Sequence, residues 1–203
     1  MALDRRLLIV SGLALAAGPG LARAAALPPA EGDMVLGSPK AKVQVVEYAS
    51  ASCPHCAHWF NDEFPKFRKA FIDTGKVRFV FREFLTQPAD FAAAGFLLAR
   101  RVGEARYFEV MAAIFQKQAA IYESNDLWGG LLAIAKAFGL TEDQFKAALQ
   151  DPKTLAALNA RVEKAASRDK VDSTPTFFIN GGRVTGDVSF EALSAAIVKA
   201  TKA

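Results

Sequence analysis

Between Lys76 and Phe84 the chain alternates with a period of two. Val77, Phe79 and Phe81 fall on one side, and Arg78 and Arg82 on the other, with Val80 between them. That pattern predicts a strand. A second run, Val43 to Tyr48, has few polar positions and predicts a strand buried on both faces. Between the two lies an amphipathic stretch that predicts a helix to about Ile72, kinked or split at Pro65 because proline has no N–H to donate. Five segments then carry apolar residues at i, i+3 and i+4: Ala89 to Val102, Ala105 to Gln118, Leu127 to Phe138, Glu142 to Leu149 and Lys153 to Lys170. Their ends are marked. Thr141 begins a capping box with Gln144, Gly103 and Gly139 close helices, and Asp151-Pro152 opens one. Thr176 to Ile179 returns to β character. Asn180-Gly181 predicts a tight hairpin into Arg183-Val184-Thr185, and Ser189 caps a last helix to about Lys202.

The order is therefore β-α-β, a helical block, then β-β-α. It predicts an α/β protein: a thioredoxin fold with an all-helical domain inserted in its middle. The segments are an extended Pro/Gly/Ala lead-in at 25–42, a first part of the thioredoxin domain at 43–87, the helical insertion at 88–170, and the second part at 171–203.

Residues 1–24 read as a signal peptide rather than as part of the fold. Arg5 and Arg6 form a charged start, Leu7 to Ala17 an apolar stretch too short to span a bilayer, and Ala22-Arg23-Ala24 a cleavage pattern. The adjacent arginines allow the twin-arginine route as well as the general one. Export predicts an oxidising compartment, the periplasm. Of the formal net charge of +4, residues 1–24 hold +2, so the remainder is only weakly basic. No basic block or aromatic-interleaved stripe suggests a nucleic-acid partner.

The chemistry is concentrated in the two cysteines, Cys53 and Cys56, of Cys53-Pro54-His55-Cys56. A crosslink closing so short a loop removes little entropy from the unfolded chain, so a structural disulfide is a poor reading. Zinc fits badly: Cys53, His55, Cys56 and His58 crowd into six residues, and no other Cys or His exists to supply a distant ligand pair. A c-type haem needs His directly after the second cysteine, where Ala57 stands. A CxxC pair at a strand-to-helix junction is the pattern of dithiol redox chemistry. Cys53 falls at the helix N-terminus, where unpaired N–H groups favour a thiolate, and Cys56 one turn in is the resolving thiol. His55, in the same turn, is a candidate to stabilise that thiolate, whereas His58 reads as a surface or packing residue. Trp59 and Phe60 read as packing residues.

These residues carry a resemblance. Glu47-Tyr48-Ala49-Ser50 leading into Cys53-Pro54-His55-Cys56, the Arg82-Glu83-Phe84 strand end, the helical insertion, and Ser173-Thr174-Pro175-Thr176-Phe177-Phe178-Ile179-Asn180-Gly181 together resemble the DsbA-like thiol–disulfide oxidoreductases of the bacterial envelope. The resemblance covers nearly all of the chain after residue 24. It implies a cis-proline at Pro175 facing the disulfide, and a substrate-binding edge made by Pro54, Thr174 and Pro175. It also implies a buried acid at Glu47 that exchanges a proton with Cys56, either protonated or bonded to a cation for which Arg82 is a candidate. It implies no cofactor, a monomer, exported proteins as substrates and a quinone-linked membrane reoxidase of the DsbB type. A reductase or isomerase of the same fold, a copper or zinc carrier using Cys53, Cys56 and His55, and a peptide-binding chaperone are the alternative readings.

Overall fold

The computed structural model describes residues 26–185 and 188–202. The expected signal peptide lies outside the described residues. Among the described residues five strands form one mixed sheet in the order β1-β3-β2-β4-β5. Strands β2 (Val43–Ala49) and β3 (Val77–Glu83) are parallel and central. β1 (Met34–Leu36) and the hairpin of β4 (Thr176–Ile179) with β5 (Gly182–Thr185) are added antiparallel. This is the thioredoxin arrangement. The hairpin turn is made by Asn180 at φ 45° and Gly181 at φ 83°. Asn180 also ties the hairpin to β2, donating its N–H to the Gln44 carbonyl and accepting the Gln44 N–H on Oδ1. β1 is the element the hydrophobic pattern did not reveal; three residues within the Pro/Gly-rich lead-in are too few to show a period.

Alternation along the strands sorts side chains into two layers. Val45, Glu47, Phe79, Phe81 and Phe177 face one way, into the larger core built with the helix after Cys53, the inserted helices and α8 (Phe190–Lys202). Val46, Tyr48, Val80 and Phe178 face the other, beneath Ala165 and Val171. The first helix is not uniform. It runs as α1 (Pro54–His58), a π-helical turn (Trp59–Glu63), α2 (Phe64–Phe67) and a second π-helical turn (Arg68–Ile72). Pro65 explains the first widening: it has no N–H, and its ring needs room from the preceding turn, so the chain loosens there rather than breaking.

The insertion consists of α3 (Ala89–Val102), α4 (Tyr107–Ser124), α5 (Leu127–Ala137), α6 (Glu142–Gln150) and α7 (Pro152–Arg168). The capping box at Thr141 and Gln144 is formed, and Asp151 caps α7. α4 runs six residues beyond its expected end, to a left-handed Asn125.

Two buried ion clusters join the layers where β3 ends. Arg82 donates to both carboxylate oxygens of Asp33, at 2.7 and 3.0 Å, to the Tyr48 hydroxyl and to the Pro28 carbonyl. Asp169, after α7, completes that cluster with Arg82 and Tyr48. Glu83 accepts from Arg100, Arg161 and the Tyr107 hydroxyl. A cavity of about 260 Å3 lies beside these clusters between the lead-in and α7, away from the cysteines, and the pairs Asp33–Arg82 and Glu83–Arg161 line it.

Replacing Arg82 by Met strips Asp33 of its buried cation and leaves Asp169 with Arg168 alone. The expected loss of stability is about 3–5 kcal/mol, as for a buried pair with one partner removed. Urea unfolding of the two proteins at neutral pH measures it; a difference under 1 kcal/mol would show that the cluster is dispensable.

Candidate active site

The site is made where β2 hands over to α1. The turn between them is held at every carbonyl. Ser50 accepts the Cys53 N–H at 3.1 Å. Ala51 and Cys53 accept the Gln118 side-chain amide at 2.8 and 3.3 Å, and Ser52 accepts the Tyr122 hydroxyl at 2.9 Å. The serine hydroxyls turn the other way: Ser52 donates to the Thr86 carbonyl, and Ser50 accepts the Thr86 N–H. Gly95 of α3 packs against Ala51, where an added Cβ would stand 3.0 Å from the Ala51 methyl. The turn is thus clamped from three directions before the cysteines begin.

Cys53 is the N-cap of α1, in an extended conformation, and Pro54 follows at the first helical position, where a missing N–H is harmless. The Cys53 sulfur accepts the Cys56 N–H at 3.3 Å. On its other side it lies 3.4 Å from the Thr174 carbonyl, to which the thiol form donates. The Thr174–Pro175 peptide is cis. Neither cysteine is disulfide-bonded here, so the site is described in its reduced form.

The two thiols differ in their electrostatics. A hydrogen bond from the Cys56 thiol is the largest influence on Cys53; burial opposes it, and Thr174 and the Cys56 and His55 backbone N–H groups add to it. The result is a Cys53 pKa lowered to about 6. Burial pushes the Cys56 thiol up, and the Cys53 sulfur and Glu47 push it further. Cys56 is 0 % exposed, whereas Cys53 is 6 % exposed. The two thiols are therefore told apart by position and by charge.

Glu47 is fully buried, and neither carboxylate oxygen has a hydrogen-bond partner. Burial raises its pKa well above the ordinary range, and the negative Cys53 sulfur raises it further. Arg82 is not its partner. Consecutive β residues face opposite layers, and Arg82 points to the Asp33 and Asp169 side of the sheet while Glu47 faces the cysteine helix. Glu47 instead sits in an environment that favours its protonated form. His55 is exposed beside the pair, and His58 binds Asp62 at 2.7 Å on the surface. Trp59 packs against Phe177 at 4.8 Å and Phe60 against Phe64 at 4.4 Å, both as core residues. Among the described residues no three His, Cys, Asp or Glu side chains converge as metal ligands would.

The thioredoxin family profile matches residues 29–199. The chain belongs to the thioredoxin family. Within it, the chain is 37 % identical over 171 residues to a Rickettsia bellii protein named as a protein-disulfide oxidoreductase, covering 84 % of this chain and 65 % of that one. It therefore spans just under two thirds of that relative's length. The alpha-DsbA1 structure of Wolbachia pipientis is 28 % identical with a TM-score of 0.78, covering 87 % of this chain and 94 % of that chain. BdbD of Bacillus subtilis, in its oxidised form, is 25 % identical with a TM-score of 0.75, covering 89 % and 99 %.

This thioredoxin-family site includes residues that sequence reading passed over: Gln118, Tyr122, Ser52 and Thr86. Gln118 did leave a signal. It is a polar residue on the stripe Val110, Met111, Ile114, Phe115, Ile121 of α4, where an apolar one belongs.

Titrating the reduced protein by thiolate absorbance should show one group with a midpoint near 6. An unfolded cysteine ionises near about 8.5. The Cys53 thiolate therefore stabilises the reduced fold fully above that value, and the contribution fades as pH falls toward 6 and vanishes below it. The disulfide form has no such group. The melting temperature of the reduced form relative to the oxidised form should rise with pH across this window. A gap independent of pH would contradict the assignment. Limiting iodoacetamide should label Cys53 and spare Cys56.

Proposed function

We propose that the protein is a thiol–disulfide oxidoreductase that works as a dithiol oxidase, donating a Cys53–Cys56 disulfide to exported proteins in the periplasm. The observation that carries this is the Cys53 sulfur at the mouth of α1, receiving the Cys56 N–H and facing the Thr174 carbonyl, with Cys56 sealed beneath it. A sulfur held as a stable thiolate is a good leaving group, so a disulfide built on it passes readily to another protein. The pattern of residues 1–24 supports export. Among the described residues no helix is long and apolar enough to cross a membrane.

The reaction begins with a substrate thiolate attacking the Cys53 sulfur. The Cys53–Cys56 bond breaks, Cys56 leaves with the electron pair, and a mixed disulfide forms. Cys56 needs a proton at this moment because its buried thiolate is unfavourable. Glu47, neutral and in the same layer, supplies it. A second substrate thiolate then attacks the substrate sulfur of the mixed disulfide, Cys53 leaves as thiolate, and the substrate departs oxidised by two electrons. A quinone-linked membrane partner of the DsbB type restores the disulfide.

Thr174, whose carbonyl lies 3.4 Å from the Cys53 sulfur, forms with Pro175 and with Pro54, at the start of α1, the edge on which an extended substrate segment lies. Backbone pairing at Thr174 suits many unrelated partners, since every peptide offers the same groups. His55 stands exposed at the rim, and its backbone N–H favours the Cys53 thiolate. No cofactor is required, because the two cysteines carry both electrons.

The deciding measurement is the reduction potential against glutathione. The oxidase reading expects equilibrium to favour the reduced protein and oxidised glutathione; the reverse would make the protein a reductase. Glu47 gives a second test. Glu47→Leu removes an unpaired buried carboxyl and should raise stability by about 1–3 kcal/mol. It should also slow oxidation of a reduced test peptide by about 100-fold, as expected when a proton-transfer group is lost. Glu47→Gln should match it in rate. A Leu variant as fast as the parent would remove Glu47 from the mechanism.

A further inference from the structure

Gln118 is 3 % exposed and lies inside α4, among side chains that are otherwise apolar. A buried amide is unfavourable there unless its donors are used. They are used on two carbonyls of a single turn, Ala51 at 2.8 Å and Cys53 at 3.3 Å. The Cys53 carbonyl is also the acceptor of the first α1 hydrogen bond, from Ala57 at 3.1 Å. One oxygen thus joins the inserted domain to the start of the cysteine helix. Four residues on, Tyr122 holds the intervening Ser52 carbonyl. The spacing places both donors on one side of α4, so the same helix face grips three consecutive carbonyls.

We propose that Gln118 is a positioning residue of the redox centre: by holding the Cys53 carbonyl it fixes the turn that presents the Cys53 sulfur to the Cys56 N–H. This rests on the reading of Cys53 as the reactive thiolate. Sequence separation makes the point sharper. Gln118 lies 65 residues from Cys53 and belongs to the insertion, not to the domain that carries the cysteines. The insertion therefore helps to set the redox chemistry as well as to cover the site. If the amide is removed, the turn can rotate, the Cys56 N–H drifts from the sulfur, and the thiolate loses one of its donors.

Other groups also face the sulfur. They are Cys56 and His55 of α1, Glu47 of β2, Tyr122 of α4 and Thr174 of the loop before β4. A change at Gln118 replaces none of these groups, so a shift in Cys53 titration reports how the turn presents the sulfur to them.

The test is Gln118→Met, which keeps length and flexibility and deletes the donors. Thiolate absorbance of the reduced variant should show the Cys53 midpoint raised by about one pH unit, a tenfold weaker thiolate. A tenfold change corresponds to a reduction potential lower by about 30 mV. A midpoint and potential equal to the parent's, with or without a lower melting temperature, would assign Gln118 to packing alone and overturn the proposal. If the Met variant does not fold, Gln118→Asn is titrated instead. It keeps the amide but stops a methylene short, with the same expected rise and the same overturning result. The parent is titrated alongside. A parent midpoint near that of a free thiol would overturn the reading of Cys53 itself, whereas a low parent midpoint with an unmoved variant overturns only the role of Gln118.

Discussion

A sulfur can be kept as an anion at a helix mouth only if the helix mouth is kept still. The contact between the Cys56 N–H and the Cys53 sulfur is 3.3 Å long, and a small rotation of the preceding turn would abolish it. Much of the surrounding structure bears on that one distance. β2 delivers the turn from the centre of the sheet, where it is paired on both sides. The Thr86 segment holds its serines, α4 holds its carbonyls, and Gly95 lets α3 come close enough to close the third side. The helix can then be irregular further on, with two π-helical turns around Pro65, without disturbing its first turn.

The burial that gives Cys53 its neighbours also separates the two thiols. Cys56 and Glu47 occupy the dry layer beneath, where charge is disfavoured, while Cys53 keeps a little exposure. One environment thus favours the thiolate at Cys53 and disfavours it at Cys56. Among the described residues no cation holds Glu47 ionised, so it can carry a proton at pH values where an exposed carboxyl could not.

Much of this was legible in the chain before any coordinates. β2 and β3 declared themselves by hydrophobic pattern, α3 by its period, α6 by Thr141 and Gln144, and the hairpin by Asn180-Gly181. These are local signals, carried by residues within a few positions of one another. The cysteine pair was legible for the same reason. What escaped was long-range. The partners of Arg82 lie 49 and 87 residues away, so no spacing rule could show that it serves Asp33 and Asp169 rather than Glu47. The donors that clamp the cysteine turn come from Gln118 and Tyr122, more than sixty residues distant. β1 was hidden by brevity, since a three-residue strand has no period.

Arg82 and Glu83 are neighbours in β3 with opposite charges, and each is buried among partners of the other sign on its own side of the sheet. A strand that slipped by one residue against β2 would turn every side chain over. Arg82 would then meet Arg100 and Arg161, and Glu83 would meet Asp33 and Asp169. Both faces would reject the error at once. The pair therefore opposes a one-residue slip of β3 against β2, the strand that leads into the cysteine turn.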